Sequence, residues 1–213
     1  MPSPETLWLF AGASLALVAV PGPAVLYIVS RSVAPGRRGG LLSMAGVETG
    51  NFVQVLAATA GLAAIVASSA IAFSTVKYLG AAYLIYLGVR TILDGGSMPW
   101  SSELPPERSG RRLFWEGVVV GTLNPKLALF LLAFLPQFID PGAGPVWVQT
   151  LVLGTIFSLV ATVGDSLFAL GAGSVAERWR RGDRSGAWAQ RLSGGILIGL
   201  GALAAVSEGP RKG

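Results

Sequence analysis

Residues 7–29 read LWLFAGASLALVAVPGPAVLYIV, an uncharged stretch that is interrupted by Pro21, Gly22 and Pro23. A helix of about 20 apolar residues is long enough to cross the hydrocarbon core of a membrane. A proline inside a helix removes one backbone donor and clashes with the preceding turn, at a cost of about 3 kcal/mol. The stretch therefore predicts a membrane-spanning helix that is broken near its middle.

The composition is that of an integral membrane protein. Of the 213 residues, 52% are hydrophobic and 13% are charged, and the mean hydropathy is +0.62. A soluble domain carries about 25% charged residues. The absence of Cys and His removes disulfides, thiolate and imidazole metal sites, and the most common catalytic base. The basic residues lie in short loops, so nucleic-acid binding is a poor explanation of the net charge of +5. We therefore expect no enzyme, no cofactor and no metal site.

The apolar segments predict an all-α integral membrane protein with six transmembrane helices. They are residues 7–29, 41–67, 73–93, 113–138, 146–171 and 188–207. A polar stretch rich in Pro, Gly and Ser divides them into two groups of three. The predicted organisation is a first three-helix repeat over 1–93, a cytoplasmic linker over 94–112 and a second three-helix repeat over 113–213.

The distribution of basic residues predicts the orientation in the membrane. Twelve of the 16 Lys and Arg residues fall in the loops after the first, third and fifth segments, against three on the opposite side. Cytoplasmic loops carry the excess of Lys and Arg, so we expect both termini outside. The two halves then have opposite topology, which is the arrangement of inverted-repeat transporters.

Each half has a proline break inside its first segment, at residues 21–23 (PGP) and 124–126 (NPK). The prolines cannot donate to the carbonyls of Leu17, Ala19 and Gly121, so we expect these carbonyls to be free to hold an ammonium group. The half-helix after each break directs its N–H groups towards the same region, which suits a carboxylate. The pair of breaks in helices 1 and 4 could accommodate both ends of an amino acid. The alternative is that both are kinks that only shape packing.

Three ionisable residues lie deep in the segments: Glu48, Lys126 and Asp165. Each costs about 2.5–3.5 kcal/mol at the centre of an isolated helix. At about 1.5 Å per residue, Glu48 and Asp165 lie about 10 Å from the cytoplasmic boundary, where they could approach each other or share Lys126. One hypothesis makes a carboxylate the proton carrier. The other is a structural ion pair between Lys126 and Asp165.

Small and polar residues in the segments suggest packing faces. Thr49, Asn51 and Gln54 do not share one helix face, so their pattern is a weak signal for a binding face. Glycines four residues apart favour close helix contacts, within one chain or in a homo-oligomer. These pairs are Gly46/Gly50, Gly117/Gly121 and Gly195/Gly199.

Three stretches carry a resemblance to a known family. They are PGPAVLYIVSRSVAPGRRGGLLSMAGVETGN (21–51), VKYLGAAYLIYLGVR (76–90) and FWEGVVVGTLNPKLALFLLAFLPQFIDP (114–141). In this order and spacing they resemble the LysE/RhtB family of amino-acid exporters. The resemblance implies a multi-pass protein of a bacterial inner membrane that exports amino acids or close derivatives, coupled to the proton gradient.

The resemblance also implies which residues gather around a central site. The implied substrate-binding residues are Pro21, Gly22, Pro23, Gly50, Asn51, Asn124, Pro125 and Lys126. Asp165 is carried over as the proton-coupling residue. Glu48 departs from the family pattern, and as a second carboxylate it is a further candidate for proton coupling.

The predicted function is secondary export of an amino acid by proton antiport and alternating access. The expected partners are the amino-acid substrate, protons, the lipid bilayer and, given the glycine pairs, a second copy of the chain. The alternative is an ion exporter or channel of the wider superfamily. The absence of Cys and His argues against soft metals, and the few buried carboxylates argue against a hard divalent cation.

Overall fold

The structure, a computed structural model, describes residues 1–33, 36–68, 70–93, 109–180 and 184–206, and these contain helices and no strand. The α-helices are α1 (Pro4–Ala19), α2 (Pro23–Val33), α3 (Gly36–Ser68), α4 (Ala70–Leu93), α5 (Gly110–Thr122), α6 (Pro125–Ala133), α7 (Val146–Arg180) and α8 (Arg184–Val206). Short 3-10 turns cover Leu135–Phe138 and Pro141–Ala143. Residues 94–108 of the predicted linker lie outside the described residues.

The helices are those of a membrane protein. Within the described ranges, Gly110–Phe138 and Val146–Ala172 are long and apolar enough to cross a membrane. The bent pair α1–α2 supplies a third crossing if it counts as one span. Tyr78–Leu93 and Gly194–Val206 are shorter apolar helices. The all-helical prediction is confirmed, and the arrangement of six spans stays a prediction.

Side-chain caps fix where several helices begin. The Ser3 hydroxyl accepts the Thr6 N–H at the start of α1, and the Ser109 hydroxyl accepts the Arg112 N–H at the start of α5. Such caps satisfy first-turn donors that have no helical acceptor. Because of the cap at Ser109, α5 begins at Gly110, three residues before the apolar segment 113–138.

Aromatic side chains hold α1, α6 and α7 together. The ring of Phe130 lies 5.8 Å from that of Phe10, 5.1 Å from that of Phe134 and 5.8 Å from that of Phe157. Phe10 and Phe130 are fully buried. Offset and tilted ring pairs at such distances add about 0.5–1.5 kcal/mol beyond the burial of their surface. The first half of one broken segment, α1, and the second half of the other, α6, are therefore anchored in one core.

The outer surface is also apolar. Along α7, Leu159, Val163 and Leu167 are 64%, 63% and 67% exposed, and they follow one another at a helical spacing of four residues. Trp8 on α1 is 79% exposed. A contiguous apolar stripe of this kind is unfavourable in water and is expected where a helix faces lipid.

Glycines bring α3 and α5 into backbone contact. A Cβ on Gly46 would lie 2.1 Å from the Phe114 carbonyl oxygen, and one on Gly121 would lie 2.2 Å from that of Val47. Gly50 and Gly117 are equally close to the opposite backbone. The predicted contact role of Gly46/Gly50 and Gly117/Gly121 is confirmed.

The third glycine pair does not pack inside the chain. A Cβ on Gly195 or Gly199 would meet nothing within 4 Å. The close approach of α8 to α4 instead uses Gly194 and Gly201, whose Cβ atoms would lie 2.4 Å and 2.7 Å from α4 carbonyl oxygens. The prediction for Gly195/Gly199 as an intrachain contact is therefore wrong, because spacing alone does not say which face of α8 turns inward.

The two kinds of glycine give a matched stability test. Gly121→Ala places a methyl group against backbone that cannot move aside, and we expect a loss of about 2 kcal/mol or more in the free energy of unfolding. Gly199→Ala adds the same methyl group in open space, and we expect no loss, since Ala is the better helix former. Thermal unfolding of both purified variants in the same detergent checks this. Equal midpoints would contradict the account of the α3–α5 contact.

Candidate functional site

Both predicted breaks are present in the structure. Residues 20–22 separate α1 from α2, and the two helices are bent by 56°. Residues 123–124 separate α5 from α6 within the apolar span Gly110–Phe138. Pro23 and Pro125 are the first residues of the helices that follow, where a missing N–H costs nothing.

The carbonyl groups at the breaks differ from the prediction. The Leu17 carbonyl accepts the Val20 N–H at 3.1 Å, and the Gly121 carbonyl accepts the Asn124 N–H at 3.1 Å. The expectation that Leu17 and Gly121 have free carbonyls is therefore wrong. Each helix ends in a tighter turn, so a donor three residues ahead replaces the one that proline lacks.

The Gln54 side chain hydrogen-bonds the backbone carbonyls at the second break. Its buried side chain enters from α3, and Nε2 donates to the carbonyls of Gly121, Thr122 and Asn124 at 2.8, 2.8 and 3.1 Å. These hydrogen bonds satisfy backbone carbonyls at the C-terminal end of α5 and hold α3 next to the break. The sequence pattern gave Gln54 little weight. The available signal was a long amide side chain inside an apolar helix, where it needs a partner.

Lys126 links the two breaks, because it follows the second break in the chain and its side chain contacts the backbone at the first. Its Nζ donates to the Val20 carbonyl at the end of α1. A Cβ on Gly22 would lie 3.3 Å from Lys126 Cδ, so the lysine chain lies over that glycine. Although both residues are described, Lys126 and Asp165 form no ion pair within 4.0 Å. No direct ion pair therefore joins the two residues, although their charges act on each other across the cavity.

The two acidic side chains come together between α3 and α7. The carboxyl groups of Glu48 and Asp165 lie close enough to hydrogen-bond, as the predicted depths of the two residues allowed. Asn51 Nδ2 donates to Glu48 Oε1 at 3.1 Å, and Thr162 Oγ1 lies 3.5 Å from Glu48 Oε2. Asp165 is buried, whereas Glu48 is half-buried.

A small cavity lies between the two breaks. It offers about 30 Å³ to the centres of water molecules, which is room for about two of them. Its polar lining consists of Asn51, Asn124, Lys126 and Asp165. Its remaining lining consists of Leu17, Val18, Gly22, Ala24, Val25, Leu127, Phe157 and Ala161. The lining therefore combines polar and charged groups, here called the polar wall, with hydrocarbon surface, here called the apolar wall.

Half of the predicted site residues line this cavity. They are Gly22, Asn51, Asn124, Lys126 and Asp165. The breaks beside the cavity are shaped by Pro21, Pro23 and Pro125. Glu48 does not line the cavity but lies next to Asp165, which does. Gly50 does not line the cavity but faces α5, because a Cβ on it would lie 2.3 Å from the Val118 carbonyl oxygen.

The cavity wall includes an acceptor without a protein partner. Asn51 is 4% exposed, and its Oδ1 has no hydrogen-bond donor among the described residues. A buried polar atom of this kind costs about 1–3 kcal/mol unless a ligand or water satisfies it. Ala24 and Val25, whose first-turn N–H groups have no helical acceptor, line the same cavity.

Comparison with known proteins agrees with these features. Residues 15–208 match the LysE type translocator family. The chain belongs to this family. It is similar to the uncharacterized membrane protein YrhP of Bacillus subtilis (strain 168), with 31% identity over 193 residues, 87% of this chain and 91% of YrhP.

Two relatives have names that state an activity. The leucine efflux proteins of Salmonella choleraesuis (strain SC-B67) and Salmonella paratyphi A (strain ATCC 9150 / SARB42) are each 32% identical over 158 residues. The match covers 72% of this translocator and 73% of each relative. No solved structure matches the chain. The resemblance seen in the sequence is confirmed.

The translocator also has a charged contact between its halves, which joins α2 to α5. Arg31 Nη2 lies 3.4 Å from Glu116 Oε2, and Arg112 Nε lies 3.0 Å from Glu116 Oε1. The Arg31 guanidinium lies over the Tyr27 ring, and the Tyr27 hydroxyl donates to the Leu113 carbonyl at 2.9 Å. The contact therefore ties the helix after the first break to the helix before the second.

Sequence reasoning missed this contact. The sequence pattern places Arg31 in a loop and does not single out Glu116. Arg31 is 8% exposed, and its Nε and Nη1 have no acceptor among the described residues. The available signal was the Glu116 charge near the start of segment 113–138.

Proposed function

We propose that the protein exports neutral aliphatic amino acids, with leucine as the first candidate, from the cytoplasm across the bacterial inner membrane. It would act as a transporter and not as an enzyme. The observation that carries the proposal is the cavity between the breaks, whose lining combines polar and charged groups with hydrocarbon surface. Family membership and the leucine efflux relatives support the same substrate class.

The polar wall suits both charged ends of an amino acid. The partnerless Asn51 Oδ1, the Asp165 carboxylate and the Val20 carbonyl that Lys126 contacts are acceptors for the substrate ammonium group. The first-turn N–H groups of α2, at Ala24 and Val25, are donors for its carboxylate, and the helix dipole adds to them. Donors and acceptors in the lining of one cavity favour a zwitterion over a simple ion.

The apolar wall suits an aliphatic side chain. Leu17, Val18, Leu127, Phe157 and Ala161 contribute hydrocarbon surface. A charged substrate side chain placed against this wall would lose its hydration without gaining a partner. The cavity chemistry therefore favours leucine and its branched relatives over lysine or glutamate.

The small size of the cavity supports the proposal of alternating access. A ligand of the size of benzene needs about 150 Å³, so about 30 Å³ is too small for leucine. The cavity must widen to admit substrate, and we propose that the Arg31–Glu116 contact closes it at the cytoplasmic end. The predicted orientation, with both termini outside, places the arginine-rich loops at that end.

The helix contacts support two inverted three-helix repeats. Exchanging the halves turns the α1–α7 contact into the α5–α3 contact, and the α2–α7 contact into the α6–α3 contact. The α3–α7 and α4–α8 contacts map onto themselves. Each of these contacts is present, whereas the α2–α3 and α4–α6 contacts have no counterpart of comparable size, so the pseudo-two-fold relation is approximate.

We assign proton coupling to the pair Glu48 and Asp165. Two carboxylates in contact repel each other, and one proton between them relieves the repulsion. A proton entering from outside would be taken up by the pair as the amino acid leaves. The alternative of an ion exporter or channel is less well supported for cations, because Lys126 places a positive charge on the cavity wall. No cluster of three or more possible ligands for a metal lies in the described part of the chain.

Transport by the purified protein in liposomes tests the proposal. Liposomes loaded with labelled leucine, lysine or glutamate are placed in a more acidic buffer, and release is compared with that from liposomes without protein. We expect release of leucine only, increasing with the imposed pH gradient. Release of lysine without leucine would overturn the substrate class. Ion conductance without amino-acid flux would favour the ion exporter.

A further inference from the structure

Lys126 reaches from the second break into the first. It is the second residue of α6, yet its Nζ donates to the Val20 carbonyl at the end of α1. The lysine chain crosses Gly22, where a Cβ would lie 3.3 Å from Cδ and 3.8 Å from Nζ. Asn124, Lys126 and Asp165 line the same cavity.

The place that Nζ occupies is a place for an ammonium group. The C-terminal end of α1 presents carbonyl oxygens and the negative end of its helix dipole. The Val20 carbonyl oxygen can therefore accept a hydrogen bond from an α-ammonium group as it does from the lysine. Two ammonium groups on one carbonyl repel each other, so the lysine and a substrate amine exclude one another.

We propose that Lys126 is a tethered competitor, whose ammonium group holds the place of the substrate ammonium group while the carrier is empty. This inference rests on the proposed function. Binding of leucine displaces Nζ from the Val20 carbonyl, and the freed lysine turns to the substrate carboxylate. When leucine has left, Nζ returns to Val20, and the empty carrier closes with a positive charge still facing Asp165.

The competition predicts opposite effects on binding and on net transport. Lys126→Gln removes the competing ammonium group, so a substrate with an amine and no carboxylate should bind more tightly. Without substrate, the variant carrier then lacks the Lys126 ammonium group in its cavity, so the change back to the conformation that faces the cytoplasm should slow. Exchange of leucine for leucine should persist, because it needs no empty carrier, while net efflux should fall.

Binding of leucinamide is the decisive measurement, because it has the amine of leucine without the carboxylate. If the lysine holds the amine position for about nine-tenths of the time, Lys126→Gln strengthens leucinamide binding by about tenfold. Gly22→Ala keeps the lysine but crowds its chain, and a smaller gain is expected. Arg38→Gln removes an exposed positive charge on α3 and is the control, with no change expected.

The outcomes separate this inference from the proposed function. Unchanged or weaker leucinamide binding in Lys126→Gln, with weaker leucine binding, would show that the lysine serves only the carboxylate and would overturn the inference. Loss of exchange together with net efflux would also count against it. A wild-type protein that binds neither leucine nor leucinamide would overturn the proposed function itself.

Discussion

Asp165→Asn is expected to reduce gradient-driven leucine efflux to the level of liposomes without protein. Asn has the same size and still forms hydrogen bonds, but it cannot carry a proton or a charge. Asp165 lies on the cavity wall next to Glu48, so the negative charge that attracts the ammonium group and the proton exchange are both lost. For one proton per leucine, each pH unit drives about a tenfold leucine gradient, equivalent to about 1.4 kcal/mol. The wild-type protein should show this dependence and the variant should not.

Two further variants make this test specific. Glu48→Gln keeps the hydrogen bond from Asn51 and is half-buried, so a partial loss is expected. Asp140→Asn lies outside the cavity, and Asn can still accept the Gly142 N–H that the aspartate accepts at 2.8 Å. It should transport like the wild type. Gradient-dependent efflux that survives in both Asp165→Asn and Glu48→Gln would remove these residues from proton coupling.

Crosslinking α2 to α5 at the Arg31–Glu116 contact is expected to stop transport reversibly. The chain has no Cys, so Arg31→Cys with Glu116→Cys introduces the only two thiols. A short bis-methanethiosulfonate reagent would then hold the halves together at this end. If the contact has to open in each cycle, efflux should fall to background and should recover when a reductant cleaves the link. Arg31 leaves two buried nitrogens without acceptors, which is consistent with a contact that opens.

The matched control places both thiols on one helix. Arg112 and Glu116 are four residues apart on α5, and Arg112 contacts the same carboxylate. The same reagent on Arg112→Cys with Glu116→Cys constrains no second helix, so transport should continue. Transport that continues in the crosslinked Arg31/Glu116 pair would mean that α2 and α5 do not separate at this point.

Some contacts were partly visible in the sequence. Gly46 and Gly121 were predicted as contact residues, and both meet the opposite backbone. Gly195 and Gly199 have the same spacing but face outward. The spacing identifies a close-packing face on a helix. It does not say whether that face turns towards a neighbour, because this depends on the rotation of the whole helix.

The sequence by itself determined the two breaks and the membrane character of the chain. Proline acts through its own missing N–H, and apolar composition acts through transfer from water, so neither needs a distant partner. Only the tertiary structure decided that Gln54 hydrogen-bonds the backbone at one break, that Lys126 does so at the other, and that Arg31 forms an ion pair with Glu116. These contacts join residues 67, 106 and 85 positions apart. Their partners are set by how the helices pack, and no local pattern encodes that packing.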